Sequence, residues 1–235
     1  MQEHDHDHEQ EIEFYRKGIR WVHWVVAFAA LILAVTGLFL YVPQLGVAAQ
    51  DGYTRVIHRL AAVVFVGAPL LYFLVATKDA LATTRAIFTI EKDIIKWIKA
   101  APSYYFGGSE ENMPPQGAMN PGQKLWAAAA LFGGIAFVVT GFIMWVFKGS
   151  VSSEVFLWCV FVHDVCFILL GSFLLVHFYL GVLHPRMTES MHAMITGKIS
   201  IGYAEDHHGK WLRKREVVSR EIKKETQSAE REEQE

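Results

Sequence analysis

The chain has 235 residues, 52% of them hydrophobic and 20% charged, with a positive mean hydropathy of +0.23. That balance excludes an ordinary soluble domain of this size and fits a small membrane bundle with polar ends. The formal net charge of −2 leaves no basic surplus for nucleic-acid binding, and the two cysteines, Cys159 and Cys166, form no disulfide framework, CxxC pair or zinc pattern.

Residues 1–14 read as a polar extension rich in His, Asp and Glu, without a cleavable signal pattern, so the first apolar segment itself has to drive insertion. Within it, His4, His6 and His8 alternate with aspartates, a pattern that gives adventitious metal affinity. The predicted body, residues 15–204, contains four apolar runs. The first is uncharged over 21–50 and is expected in the membrane to about residue 41. The second covers 60–77 and is long enough if its helix starts near Val56. The third lies between Lys124 and Lys148. The fourth runs over 155–183, interrupted by Asp164. A span needs roughly 20 apolar residues, and backbone in lipid must satisfy its own hydrogen bonds, so these runs predict four transmembrane helices.

Between the second and third runs, residues 81–100 place Ile87, Ile90, Ile94, Trp97 and Ile98 at helical spacing. They predict one amphipathic helix, lying in the membrane interface or packed on a partner protein. A Gly- and Pro-rich stretch follows, and its Asn120-Pro121-Gly122 reads on its own as a turn capping the third span. The tail, 205–235, is highly charged and reads as a solvated helix that docks a partner or as a disordered segment. Lysine and arginine concentrate before the first span, in the loop between spans two and three, and after span four. That distribution puts both termini and this loop in the cytoplasm. The expected fold is therefore all-α: an integral membrane four-helix bundle with an amphipathic helix and a charged cytoplasmic tail. No internal repeat is read beyond a weak two-plus-two helix pattern.

Of 11 histidines, four fall inside or at the ends of the apolar runs: His23, His58, His163 and His177. Titratable side chains in lipid are costly and signal function. The 14 residues from His163 to His177 correspond to a rise of about 21 Å and a rotation about 40° short of four full turns, so both imidazoles share one helix face near opposite membrane surfaces. Because the first two spans run in opposite directions, His23 falls level with His177, and His58 with His163. Each pair offers two neutral imidazoles facing each other, which suits bis-histidine ligation of a haem iron inside a bundle. The CxxCH signature is absent, so the cofactors would be two haem b held by coordination and packing. Zinc or copper is the competing reading, weakened by the lack of a third ligand at either level.

Gly37 lies 14 residues after His23, at the level of the outer pair, and leaves room for a macrocycle. Gly133, Gly134, Gly141 and Gly171 add thin places that equally serve close helix packing. Arg55 and Arg59 flank His58, where haem propionates need cationic donors, although interfacial snorkelling gives the same placement. Asp164 either tunes the adjacent His163 or is solvated. His184, His192, His207 and His208 are expected to have surface roles at the cytoplasmic end.

These residues carry a resemblance. The stretches RWVHWVV, RVIHRLAA and MNPGQK, the 14-residue histidine pair and the ending MHAMITGKIS…DHHGKWLRK resemble the cytochrome b (gamma) subunit of membrane-bound respiratory formate dehydrogenases, over roughly residues 15–214. The resemblance implies two b haems on His23, His58, His163 and His177. It also implies a site for menaquinone or a related quinone at Asn120, Gly122 and His177, where the chain carries Pro121 between the matching Asn and Gly. It further implies an extracytoplasmic iron–sulfur subunit and a catalytic subunit as partners in a bacterial inner membrane, with no formate-oxidising site in this chain. The alternatives are the equivalent subunit of a hydrogenase or thiosulfate reductase, and a haem-free membrane anchor or transporter. Transporters favour discontinuous helices around a midplane site, whereas these histidines sit near the two faces.

Overall fold

The computed structural model describes residues 10–108 and 112–232; His4, His6 and His8 lie outside them. The chain divides into two compact units. One holds residues 15–88 and 124–197, and the other holds the described parts of 10–14, 89–123 and 198–232.

The first unit contains the four long apolar helices, except residues 121–123 at the start of one of them. They are α1 (Lys17–Tyr41), α2 (Tyr53–Val75), α5 (Pro121–Val146) and α6 (Ser153–Phe178), the last continuing as a π-helical turn over Tyr179–Leu183. Each is long and apolar enough to cross a membrane. The shortest, α2 with 23 residues, extends about 35 Å and so exceeds the roughly 30 Å hydrocarbon layer. It starts at Tyr53, earlier than its apolar run, so that Arg55, His58 and Arg59 belong to its first turns. A 3₁₀ segment, Pro43–Ala49, joins α1 to α2. Ser152 caps α6 by accepting a hydrogen bond from the Val155 N–H at 3.3 Å, and Glu154 lies in that first positive turn.

Burial is inverted relative to a water-soluble protein. Phe28, Leu70, Leu74, Leu157 and Leu175 face outward, while the buried positions of these helices are small or hydroxylated: Ala29, Ala61, Thr36 and Thr140. Small interior residues let helices approach closely, and lipid is the solvent for the rest. The first unit also contains α3 (Thr77–Phe88) and α7 (Thr188–Thr196). Gly197 ends α7 at φ +94°, and a Cβ there would meet the Tyr15 carbonyl oxygen at 2.8 Å, so glycine is required on both counts.

The second unit corrects several expectations. Residues 81–100 do not form one helix: α3 stops at Phe88 and α4 (Ile94–Tyr105) begins after a break. At the break the Glu91 and Asp93 carboxylates both pair with Lys210 Nζ, at 2.8 and 3.0 Å, whereas residues two apart on a helix point about 200° from each other and could not share one ammonium. The apolar stripe is split accordingly, with Trp97 buried and Ile90 fully outward. The all-α class expected from the sequence holds, with one short ribbon of three residues per strand beside the helices. β1 (Glu11–Glu13) pairs antiparallel with β2 (Lys198–Ser200), with Ile12 opposite the fully buried Ile199. Beyond it the tail is helical, α8 running from Ile201 to Glu232 with a bend at His208, where φ is −124° and ψ 31°. His208, and His184 in the first unit, are buried rather than at the surface: His208 packs on Phe14 and Tyr203, His184 on Tyr179, and each ring is hydrogen-bonded to backbone.

Candidate functional site

α6 carries His163 and His177 four turns apart, and each faces a histidine of another helix. The ring centres of His58 and His163 are 6.4 Å apart, with their planes at 55°. Those of His23 and His177 are 6.5 Å apart at 65°. Two metal–imidazole bonds of about 2 Å plus the half-width of each ring account for about 6 Å, so both spacings fit a single metal centre clamped from two sides. Among the described residues there is no group of three or more His, Cys, Asp or Glu able to hold a metal ion. Each pair by itself offers two protein ligands, and a macrocycle that supplies four nitrogens of its own needs only the two imidazoles.

The protonation of the His58–His163 pair follows from its partners. Thr36 Oγ1 lies 2.7 Å from the Ile32 carbonyl oxygen and 2.8 Å from His58 Nδ1. A carbonyl only accepts, so the hydroxyl proton belongs to that bond and the Thr36 oxygen accepts from His58 Nδ1–H. Thr140 repeats the arrangement, donating to the Ala136 carbonyl at 2.7 Å and accepting from His163 Nδ1–H at 2.8 Å. Both neutral imidazoles are thus fixed with Nε2 as the free lone pair, the tautomer a metal ligand requires. Gly37 and Gly141 flank this pair. A Cβ on Gly37 would lie 3.7 Å from His58 Cε1 and 3.3 Å from Phe167, and one on Gly141 would lie 3.5 Å from His163 Cε1. Gly133 serves packing instead, its missing Cβ being filled by Leu170; the nearest neighbour of Gly134 is Phe65, and nothing approaches Gly171 within 4 Å.

The His23–His177 pair is held differently. Trp126 stacks on His177 with centres 5.0 Å apart and planes at 19°. Trp24 stands edge-on to His23 while its indole N–H donates to the Met194 carbonyl at 3.0 Å. His23 Nδ1 is buried without a hydrogen-bond partner among the described residues.

Arg55 donates to the Ala49 carbonyl at 3.0 Å, which anchors the 3₁₀ segment to α2, and the Arg59 guanidinium lies 5.3 Å over the Trp145 ring. Each retains further N–H donors. Asp164 is half-buried.

In the second unit, Asn120 and Gln123 start α5 with a reciprocal cap, and Pro121 occupies the first helical position, where its fixed φ is favourable. Asn120 also hydrogen-bonds the Tyr105 hydroxyl. Burial and the nearby Tyr203 push that phenol up to about 12, against the pull of the Asn120 bond. A Cβ on Gly122 would meet the Trp97 indole at 2.9 Å, so this glycine admits the ring; the Trp97 N–H is itself buried and without a partner among the described residues.

Thr36, Thr140, Trp126 and Tyr105 carry no expectation from the sequence, and Trp97 enters there only as part of an apolar stripe. For the two threonines a signal exists: Val35-Thr36-Gly37 on α1 recurs as Val139-Thr140-Gly141 on α5.

Four helices long enough to span a membrane, with two facing imidazole pairs inside them, define the class of multi-pass b-type cytochromes. Residues 15–197 match the family described as prokaryotic cytochrome b561, and the chain belongs to it. The chain is 25% identical over 216 residues to the cytochrome b556(Fdn) subunit of the nitrate-inducible formate dehydrogenase of Escherichia coli K12, covering 88% of this chain and 92% of that protein. It is 24% identical to the formate dehydrogenase cytochrome b556 subunit of Haemophilus influenzae, over 88% and 84% of the two chains. It is also 24% identical to the E. coli K12 formate dehydrogenase cytochrome b556(fdo) subunit, over 81% and 87%. This is a membrane cytochrome related to formate dehydrogenase cytochrome subunits.

Proposed function

We propose that the chain is the membrane subunit that joins an extracytoplasmic iron–sulfur and catalytic module, of the formate dehydrogenase type, to the quinone pool. The observation that carries the reading is the pair of facing imidazoles at two levels of α6, 6.4 and 6.5 Å between ring centres. His58 with His163, and His23 with His177, are the ligands assigned to two haem b groups. When bound, these groups supply one-electron redox chemistry that no side chain here can provide.

The chain's own residues do the rest. Thr36 and Thr140 hold two imidazoles in the ligating tautomer, Trp126 and Trp24 wall the other pair, and Gly37 and Gly141 keep side chains away from the rings. Arg55 and Arg59 are assigned to the propionates at the outer level through their remaining N–H donors. Asn120, Gly122 and His177 are assigned to menaquinone or a related quinone on the cytoplasmic side, an assignment supported by the resemblance of MNPGQK. In that orientation, both termini are cytoplasmic, in keeping with the lysine and arginine distribution.

Haem content and ligand substitution test the reading together. The purified chain is expected to give about two haems per chain by pyridine haemochrome. His177→Ala should lose one haem and quinone reduction while the other haem remains visible. A full-amplitude reduced b spectrum in that variant would overturn the ligand assignment. Co-purification with an iron–sulfur subunit and a formate-oxidising subunit tests the partner; recovery with a hydrogenase or thiosulfate reductase instead would replace it.

A further inference from the structure

We propose that Thr36 and Thr140 are positioning residues that make the His58–His163 pair the lower-potential of the two haem sites. The inference rests on the haem reading above and concerns what the chain does to each site.

Both imidazoles of the His58–His163 pair donate Nδ1–H to a buried threonine oxygen at 2.8 Å. A donated N–H shifts electron density towards the opposite nitrogen and makes it a stronger ligand. Stronger axial donation stabilises the ferric over the ferrous state and so lowers the reduction potential. The threonine oxygens are good acceptors because their own protons are already committed to the Ile32 and Ala136 carbonyls.

The other pair lacks this support. His23 Nδ1 is buried without an acceptor among the described residues, and the His177 ring stacks on the Trp126 face. Imidazoles without a threonine acceptor among the described residues are weaker donors, and the ferrous state is relatively favoured there. Of the fixed charges nearby, Arg20 acts in the same sense, lying one turn before His23 with its guanidinium on the Ile195 carbonyl. Arg59 beside His58 opposes the trend, with its charge drawn over Trp145.

The repeated Val-Thr-Gly explains how one site acquires the property twice. Each copy places a threonine acceptor and a neighbouring glycine against one imidazole, on α1 for His58 and on α5 for His163. Among the described residues no threonine is hydrogen-bonded to His23 or His177.

Spectroelectrochemical titration of the full haem-loaded chain in detergent tests this. The wild-type protein should titrate as two components, and His163→Ala should remove the lower one. Thr36→Val and Thr140→Val should each raise the lower component and leave the upper one in place, with a larger shift in the double variant. Thr36→Ser and Thr140→Ser, which keep the acceptor, should stay at the wild-type position. Movement of the upper component, no movement of either, or equal shifts for Val and Ser would overturn the proposal. So would loss of the upper component in His163→Ala, an ordering test that does not depend on the valine variants folding. A wild-type chain without haem would overturn the reading beneath it; two haems with unresponsive potentials would overturn this inference alone.

Discussion

The side chains of Asn120 and Gln123 cap each other across the first turn of α5: Asn120 Oδ1 accepts the Gln123 N–H at 2.8 Å, and Gln123 Oε1 accepts the Asn120 N–H at 2.9 Å. Two of the unpaired donors of the helix start are satisfied by this exchange, and Pro121 has no N–H to satisfy. Asn120 therefore has a structural duty besides the quinone contact assigned to it, and the two are separable. Asn120→Ala should cost about 1 kcal/mol of local stability through the lost cap and leave the Tyr105 hydroxyl without that partner. Asn120→Ser keeps an acceptor at the cap and removes the amide. If the amide serves the quinone, both variants raise the quinone KM alike, while only the alanine variant accelerates hydrogen exchange in the first turn of α5. Normal quinone kinetics in Asn120→Ser would remove Asn120 from the quinone site and leave it a cap.

Gly37 and Gly141 differ from Gly133 in what their missing Cβ would touch, and substitution should separate them. A methyl on Gly141 makes an ordinary contact with His163 at 3.5 Å, so Gly141→Ala is expected to be tolerated, and Gly37→Ala, at 3.3 Å from Phe167, to require a small shift. Leucine at either position must displace an imidazole or Phe167, and the haem-to-protein ratio should fall by about half as one site is lost. Gly133→Leu instead collides with Leu170 in the helix interface. It should lower the thermal stability of the bundle and both haem signals together. Selective loss of one haem in Gly133→Leu would contradict this division.

The histidine levels are legible in the sequence because lipid makes a titratable group conspicuous and helical rotation is a local property of the chain. The interval between His163 and His177 carries its geometry with it. Thr36 and Thr140 are hidden for the opposite reason. A threonine in an apolar helix commonly bonds its own i−4 carbonyl, and nothing nearby announces that its oxygen also accepts from a histidine on another helix. Only the recurrence of Val-Thr-Gly marks them. The break at residues 89–93 is equally illegible, since the cation that Glu91 and Asp93 share is Lys210, more than 100 residues later. The pairing of β1 with β2 depends on segments still farther apart.

Lys210 is the fastener of the second unit. Its bonds to Glu91 and Asp93 raise its ammonium above the ordinary lysine range, and Lys210 in turn holds the Asp93 carboxyl below the usual range. The signs give the pH window. The raised lysine stabilises the fold at pH values below ordinary lysine titration and loses that contribution as pH rises through its folded value. The lowered carboxyl stabilises above ordinary carboxylate titration and loses its contribution as pH falls through its folded value. Both are in force at neutral pH. Lys210→Ala should speed hydrogen exchange at residues 89–93 and leave α1 and α2 unchanged. High salt should produce part of the same effect in the wild type, because the three side chains are only partly buried.

His208 makes the pH response of α8 a separate matter. Its Nδ1–H donates to the Gly117 carbonyl at 2.7 Å, and Phe14, Tyr203 and His207 surround the ring. Burial lowers its pKa to about 4; the Gly117 bond acts in the opposite direction, and His207 adds to the lowering. A base whose folded pKa lies below the ordinary 6.5 binds its proton more readily when unfolded, so the folded form loses stability as pH falls from about 6.5 towards 4, and the loss levels off below that. The full effect is on the order of 3 kcal/mol. The measurement is amide exchange or limited proteolysis of residues 198–217 across that range, with protection expected to fall on the acid side. His208→Gln keeps a donor for Gly117 without a proton to gain, and should flatten the profile between pH 6.5 and 4 while holding protection at neutral pH. A glutamine variant with the same acid sensitivity as the wild type would assign the transition to other groups, and His207, whose ring lies 3.1 Å from the Tyr104 hydroxyl, would be the next to substitute.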